Sequence, residues 1–467
     1  MIDLLKSLKI YQYECELIDI RIEETNPIQI SFFQKEFRNY IDEKKIGAFI
    51  RVYANKRWYF ASTTELSELE IELHKLLKNA GVSLKKDENK VLEYKTTEID
   101  NIFSPPSQKS QSEIGTSTMK DDYAFKMSRD EKIGFLNKVR EAFETDPLVL
   151  NPYVAWKDNV LQKYFVNNRG IAYSYNKAFS AVVASYTLKQ DQNIFQSNFM
   201  KTVQYYKEFY SYIDEFQKDF EEAKLFIDAP TIEPGKYITV LGPQATGIFA
   251  HESFGHKSES DFMLGDETMV KEWEIGKKVA NEIVTIIDCG VGDKVSGYCP
   301  FDDEGNPAQT TYLIKDGILT GRLHNETTAK ALNEDNTSNA RAVSFEWEPT
   351  VRMRNTYFDK GELTFDELIK PIEKGYFIKK VNHGSGMSTF TIASNRAFKI
   401  ENGKITDPVK INVATGTVFQ TLHDIDGISN KVELFSQVFG GCGKGYQWPL
   451  DVSFGGPYIR VKSLNLS

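Results

Sequence analysis

Period-two alternation constrains this fold more than any other feature of the chain. Residues 8–62 alternate apolar and polar side chains through YQYECELIDIRI, IQISFFQKEFRNYI and IGAFIRVYANKRWYFAST, which puts every second side chain on one face of a strand. Alternation returns over 149–188 and again toward the carboxy terminus. There Asp316-Gly317 in TTYLIKDGILTGRL and Asn402-Gly403 in RAFKIENGKITD supply the two-residue turns that β-hairpins favour. Helical stretches interrupt the strands. One is expected over 64–80, with Thr64 as its cap and Glu65, Glu68 and Glu70 in its first turns. A second is expected over 128–145, and a long one near 198–227. Aromatic residues at 205, 206, 209, 210, 212, 216 and 220 occupy more than one face of that long helix. Basic residues do not line up with the rings, so they read as core or subunit packing rather than a nucleic-acid stacking surface.

Two stretches punctuate the chain: NIFSPPSQKSQSEIGTSTMKDD (101–122), rich in serine, proline and polar groups, and APTIEPG (229–235). They divide 467 residues into an amino-terminal α/β module (1–105), a middle α/β module with a long helix (123–228) and a β-rich carboxy-terminal domain (233–467). The expected class is α+β. In the last domain a strand over 237–241, a turn at Gly242-Pro243 and a helix running into His251 are expected. The remainder should be largely antiparallel, with that helix on one side and Cys442 on a late loop.

The hexamer His251-Glu252-Ser253-Phe254-Gly255-His256 carries the chemistry. Two imidazoles can ligate a divalent metal, and the carboxylate between them can act as a base toward water. The familiar H-E-x-x-H pattern sets its histidines four apart, on one helical face. Here they are five apart, about 140° around a regular helix. Convergence therefore requires a distortion, and Gly255 can host a π-bulge or a left-handed turn. The plain alternative is two unrelated histidines on a helix. The chain has only six histidines, and two of them flank one glutamate. A catalytic zinc site normally has three protein ligands. Of the four cysteines, Cys15, Cys289, Cys299 and Cys442, none forms a C-x-x-C pair. Cys442 stands out within FGGCGKG, where Lys444 can favour a thiolate; on composition alone a buried spectator thiol is the safer reading.

These residues resemble the TldD/PmbA family of metalloproteases. HESFGHKSESD (251–261) matches the H-E-x-x-x-H segment of its zinc-bearing member, and CGKGYQ (442–447) matches the late C-G-K motif. KKIGAFIRVYANKRWYFASTTELSELEIELHKLLKNA (45–80) resembles the amino-terminal module. FDDEG (301–305), VRMRNTY (351–357) and IENGKITDPVK (400–410) resemble the carboxy-terminal one. The resemblance covers most of the chain. It implies His251, His256 and Cys442 as zinc ligands, Glu252 as the catalytic carboxylate and Glu259 as a support for a ligand. It also implies short or unfolded peptide substrates, admitted to a cavity formed by two subunits. The dimer is either a homodimer or a heterodimer with a zinc-free sister subunit. Gly445-Tyr446 replaces the usual aspartate-glycine, and Arg57-Trp58-Tyr59-Phe60 replaces glycine-tryptophan-glycine-phenylalanine; both departures bear on substrate preference. A zinc amidohydrolase acting on a non-peptide and a non-catalytic assembly subunit are the alternative readings.

The remaining features set limits. A net charge of −9 and a pI near 5.5 argue against a nucleic-acid footprint. No apolar run of about 18 residues predicts a membrane helix, the amino terminus has none of the marks of a signal peptide, and scattered cysteines suit a reducing cytoplasm. FDDEG lacks the ligand period of an EF-hand and reads as a surface turn. His324 and His383 read as loop histidines, with a smaller chance of lining the cleft as donors to developing charge. There is no G-x-x-x-x-G-K-[ST] phosphate loop.

Overall fold

A computed structural model describes residues 1–85, 92–99, 122–291 and 295–467. Apart from Asp122, the linker expected over 101–122 lies outside them. Strand and helix combine as α+β. The amino-terminal half is built on a sheet in which nine strands are described. Its spine is Val149–Asn167, antiparallel to Ile28–Phe33 and Leu17–Thr25 on one edge and to Ile171–Gln190 on the other. Glu36–Asp42, Lys45–Ala54 and Arg57–Thr63 extend the first side, while Lys95–Ile99 and Asn193–Val203 flank Ile171–Gln190. Segments 1–105 and 123–228 thus contribute strands to one sheet.

Helices cover that sheet with their apolar stripes. Leu69–Asn79 buries Leu69, Leu73, Leu76 and Leu77, spaced i, i+4, i+7 and i+8, against Ile18, Ile20, Ile50 and Val52. Each such leucine contributes about 1.5–3 kcal/mol by burial. Thr64 does not cap this helix. A 3-10 turn, Leu66–Glu68, precedes it, and the Thr63 hydroxyl instead accepts from the Glu65 amide at 3.0 Å. Ser128 does cap Arg129–Glu141, in a reciprocal box with Glu131. The long helix expected over 198–227 is shorter, Tyr212–Lys224, because Asn193–Val203 is a strand. It pairs with Ile171–Gln190 from Gln190↔Asn193 to Ser180↔Val203, and this cross-strand pairing overrides the local helical pattern. Phe209, Tyr212, Phe216 and Phe220 lie in the core with Phe143, Trp156 and Tyr186, while Tyr210 turns outward.

The carboxy-terminal half holds two larger sheets. One runs through Gly235–Leu241, Lys374–Gly386, Thr389–Glu401, Val413–Thr417, Ile459–Leu466 and Ile425–Ile428, with Lys404–Val409 attached. The other runs Ile318–Leu319, Thr310–Lys315, Ile286–Cys289, Asn355–Phe358, Gln447–Gly456 and Glu433–Lys444. Pairings are antiparallel except those of Gly235–Leu241 with Lys374–Gly386 and Asn355–Phe358 with Gln447–Gly456. Both expected hairpin turns form, with positive φ at Asp316 (50°), Gly317 (77°), Asn402 (52°) and Gly403 (73°).

Three expectations about this half are corrected. The helix leading to His251 lies between the sheets rather than on one side: Ile248, Phe249 and Phe254 pack in one cluster with Ile378, Phe390 and Ile392 from the first sheet and Phe358, Val452 and Phe454 from the second. Gly247 permits this close approach, since a Cβ there would lie 2.4 Å from the Gly455 amide nitrogen. Cys442 is on the edge strand Glu433–Lys444, not on a loop. FDDEG is no surface turn either. Asp302, Asp303 and Glu304 are buried where the two halves meet: Arg21 and Lys163 of the first sheet pair with Asp303 and Arg51 with Glu304, while the Asp302 carboxyl accepts from Asn306 and the Glu304 amide. Among the described residues no helix is long and apolar enough to cross a membrane.

Candidate metal centre

The five-residue spacing is accommodated by a change of helix type. Pro243–Ile248 is α-helical, with proline in its first turn, and Phe249–Gly255 continues as a π-helix before a 3-10 turn at His256–Ser258. In a π-helix the repeat lengthens to i→i+5, so His251 and His256 fall on one face. Their ring centroids are 5.0 Å apart. Gly255 keeps right-handed helical angles (φ −59°, ψ −53°), so of the two expected distortions the widened helix forms and the left-handed turn does not. Gly255 supplies space: a Cβ would lie 2.0 Å from Met353 Sδ.

Cys442 reaches the same point from the edge strand, with Sγ 3.5 Å from His256 Nε2. One donor atom each from His251, His256 and Cys442 lie within 4.8 Å of one another. His251 and Cys442 are buried, and His251 Nδ1 has no hydrogen-bond partner. Burial works against the Cys442 thiolate, but the neighbouring His251 and His256 outweigh it and hold the thiol well below its usual range. His256 is pushed up to about 10, its burial being overcome by hydrogen bonds to Cys442 and Glu259. Two imidazoles, one of them with an unpartnered buried nitrogen, and a thiol poised for deprotonation make a donor set that fits zinc.

Surrounding side chains fix this trio. Glu259, fully buried, accepts from His256 Nδ1 at 3.1 Å. Lys444 Nζ lies 3.1 Å from the same carboxylate oxygen. Its charge, ahead of the hydrogen bond to His256, keeps the Glu259 carboxyl below the ordinary range despite burial. Arg352, fully buried, donates to the Cys442 carbonyl at 2.8 Å. Glu252 points away from this support: Oε2 is 4.0 Å from His256 Nε2, and its side chain is 32% exposed. A carboxylate so placed can meet water and a substrate beside the trio.

The other two candidate histidines are not brought into the trio. His324 is buried with Nε2 3.0 Å from Glu334 and Nδ1 3.1 Å from Thr328, at the wall of a separate cavity of about 1020 Å³. His383 is exposed on Lys374–Gly386, the strand whose Gly384 lies against Glu252. Sequence reasoning missed the contacts of Arg352 and Lys444 beneath the site. The available signal was Lys444 at two positions from Cys442, the spacing that returns a strand to the same face.

Comparison with known proteins follows the same residues. The family model of the PmbA/TldA metallopeptidase C-terminal domain matches 234–467, and that of domain 1 matches 18–81. The chain belongs to the TldD/PmbA family. Among TldD/PmbA relatives, it is 28% identical to a metalloprotease from Synechocystis over 97% of this chain and 95% of that one. It is also 28% identical to a zinc metalloprotease TldD homolog from Saccharolobus solfataricus, over 96% of each. The crystal structure of TldE from Thermococcus kodakarensis shares the fold, with a TM-score of 0.75 at 15% identity over 100% of this chain and 99% of that one.

Proposed function

We propose that this TldD/PmbA protein is a zinc-dependent peptidase in which His251, His256 and Cys442 hold the metal and Glu252 is the catalytic carboxylate. The observation that carries this reading is the convergence of those three donors beside a partly exposed glutamate. The name of the Saccharolobus relative supports zinc as the ion. Bound there, zinc would supply Lewis acidity to a scissile carbonyl and to water. Glu252 accepts a proton from the attacking water and returns it to the departing amine. Glu259 accepts the Nδ1 proton of His256 and so leaves Nε2 facing Cys442. The helix wedged between two sheets holds both imidazoles on rigid scaffold.

Substrates are short or unfolded peptides, which can enter a cavity enclosed by two subunits. The shared fold with TldE supports a sister chain as the second subunit, alongside a homodimer. Free cysteines throughout suit a cytoplasmic location. The test pairs metal analysis with turnover. Wild type should carry near-stoichiometric zinc and cleave a mixed peptide library. Cys442→Ser should lose the zinc, and Glu252→Gln should keep it while activity falls by roughly 10²–10⁴-fold. Full cleavage by Glu252→Gln, or undiminished zinc in Cys442→Ser, defeats the assignment.

A further inference from the structure

We infer that Lys444 is a positioning residue for this centre: it acts on the metal site by fixing the carboxylate that orients His256. The inference rests on His251, His256 and Cys442 being metal ligands. Lys444 Nζ donates to Asp261 Oδ1 and Oδ2 at 2.7 and 2.8 Å and to the Val351 carbonyl at 2.8 Å, and lies 3.1 Å from Glu259 Oε2. Its ammonium has three protons; its hydrogen bonds go to the Asp261 carboxylate and the Val351 carbonyl, and it meets Glu259 as an ion pair. Glu259 and Asp261 follow the histidine helix directly, whereas Lys444 ends the strand that carries Cys442. One side chain therefore joins the two chain segments that bring the ligands together.

The link to His256 is specific. Glu259 Oε1 has no hydrogen-bond partner, and Oε2 is shared between His256 Nδ1 and the lysine. Glu259 is thus a buried carboxylate whose orientation is set by one imidazole and one ammonium. Arg352, a fully buried cation below the site, directs its hydrogen bonds to the Cys442 and Gln447 carbonyls instead. Without Lys444, Glu259 loses its charged anchor and the His256 ring loses its fixed partner. A clamp serving the fold alone would lower stability without changing how tightly the trio takes a metal or how the metal is coordinated.

The experiment measures zinc and cobalt(II) affinity by chelator competition, and the cobalt(II) absorption spectrum, on the full chain. Lys444→Met and the milder Lys444→Gln should each weaken metal binding by roughly 10–100-fold and alter the cobalt spectrum. The double variant Lys444→Met/Glu259→Gln should bind no more weakly than Glu259→Gln alone, since the lysine acts through that carboxylate. Should Lys444→Met fail to fold, Lys444→Gln with Glu259→Gln gives the same comparison. Wild-type affinity and spectrum in a folded Lys444 variant, or losses that multiply in the double variant, overturn the inference. A wild type whose cobalt spectrum lacks a thiolate charge-transfer band, or keeps it in Cys442→Ser, overturns the metal-site reading itself.

Discussion

At Gly255 the requirement is room. Its backbone angles are those of any helical residue, but a methyl group would collide with the fully buried Met353. Gly255→Ala should therefore cost about 1–3 kcal/mol through overpacking and lower metal occupancy by displacing His256. Trimming the neighbour in Gly255→Ala/Met353→Ala should recover part of both losses. Urea denaturation and metal content of the two variants check this, and an alanine variant as stable and as loaded as wild type would show that Met353 yields freely. The histidine spacing was legible in the chain because five residues on a regular helix cannot converge. Met353, by contrast, lies about a hundred positions away, and no local pattern announces it.

Element geometry explains how Cys442 comes to face the histidines. Between Gln437↔Val452 and Cys442↔Leu450 the edge strand advances 442 − 437 = 5 residues while its partner advances 452 − 450 = 2. The three extra residues form a bulge in the glycine-containing run before the cysteine. Because side chains alternate faces, removing one residue from this bulge turns the following residues over. Deletion of Gly441 should abolish metal binding while leaving far-UV circular dichroism near wild type; retained zinc would show that the bulge re-forms around the cysteine. Strand pairs joined by Asp316-Gly317 and Asn402-Gly403 were legible, since each turn is local and chemically distinctive. Residues 198–203, the last part of the strand Asn193–Val203, read as the start of a helix because their partner strand decides their conformation, and single-strand patterns do not show partners. The Cys442 bulge was hidden for the same reason: FGGCG permits a loop or an irregular strand equally well.

On the scale of the molecule, the two halves are joined by buried charge. Asp303 lies 2.5 Å from Lys163 and 3.3 Å from Arg21, and Glu304 lies 3.0 Å from Arg51, which also holds Asp19 at 2.6 Å. Acids at 302–304 looked like a surface turn because the cationic partners of Asp303 and Glu304 are 140 or more positions distant. Burial opposes the charge on Asp303, but Arg21 and Lys163 prevail and hold its carboxyl down to about 2, against 3.8 ordinarily. A carboxyl whose pKa is depressed by folding stabilises the folded state above the unfolded pKa. That contribution declines as pH falls from about 4 and is gone below about 2, amounting to about 2–3 kcal/mol for this shift. Asp303→Asn leaves Arg21 and Lys163 without this anion and should cost about 3–5 kcal/mol at pH 7. The variant should also lose stability less steeply than wild type between pH 4 and pH 2. Thermal unfolding across that range checks both statements. Equal slopes for the two proteins would mean that other carboxylates, not this one, govern how the halves separate in acid.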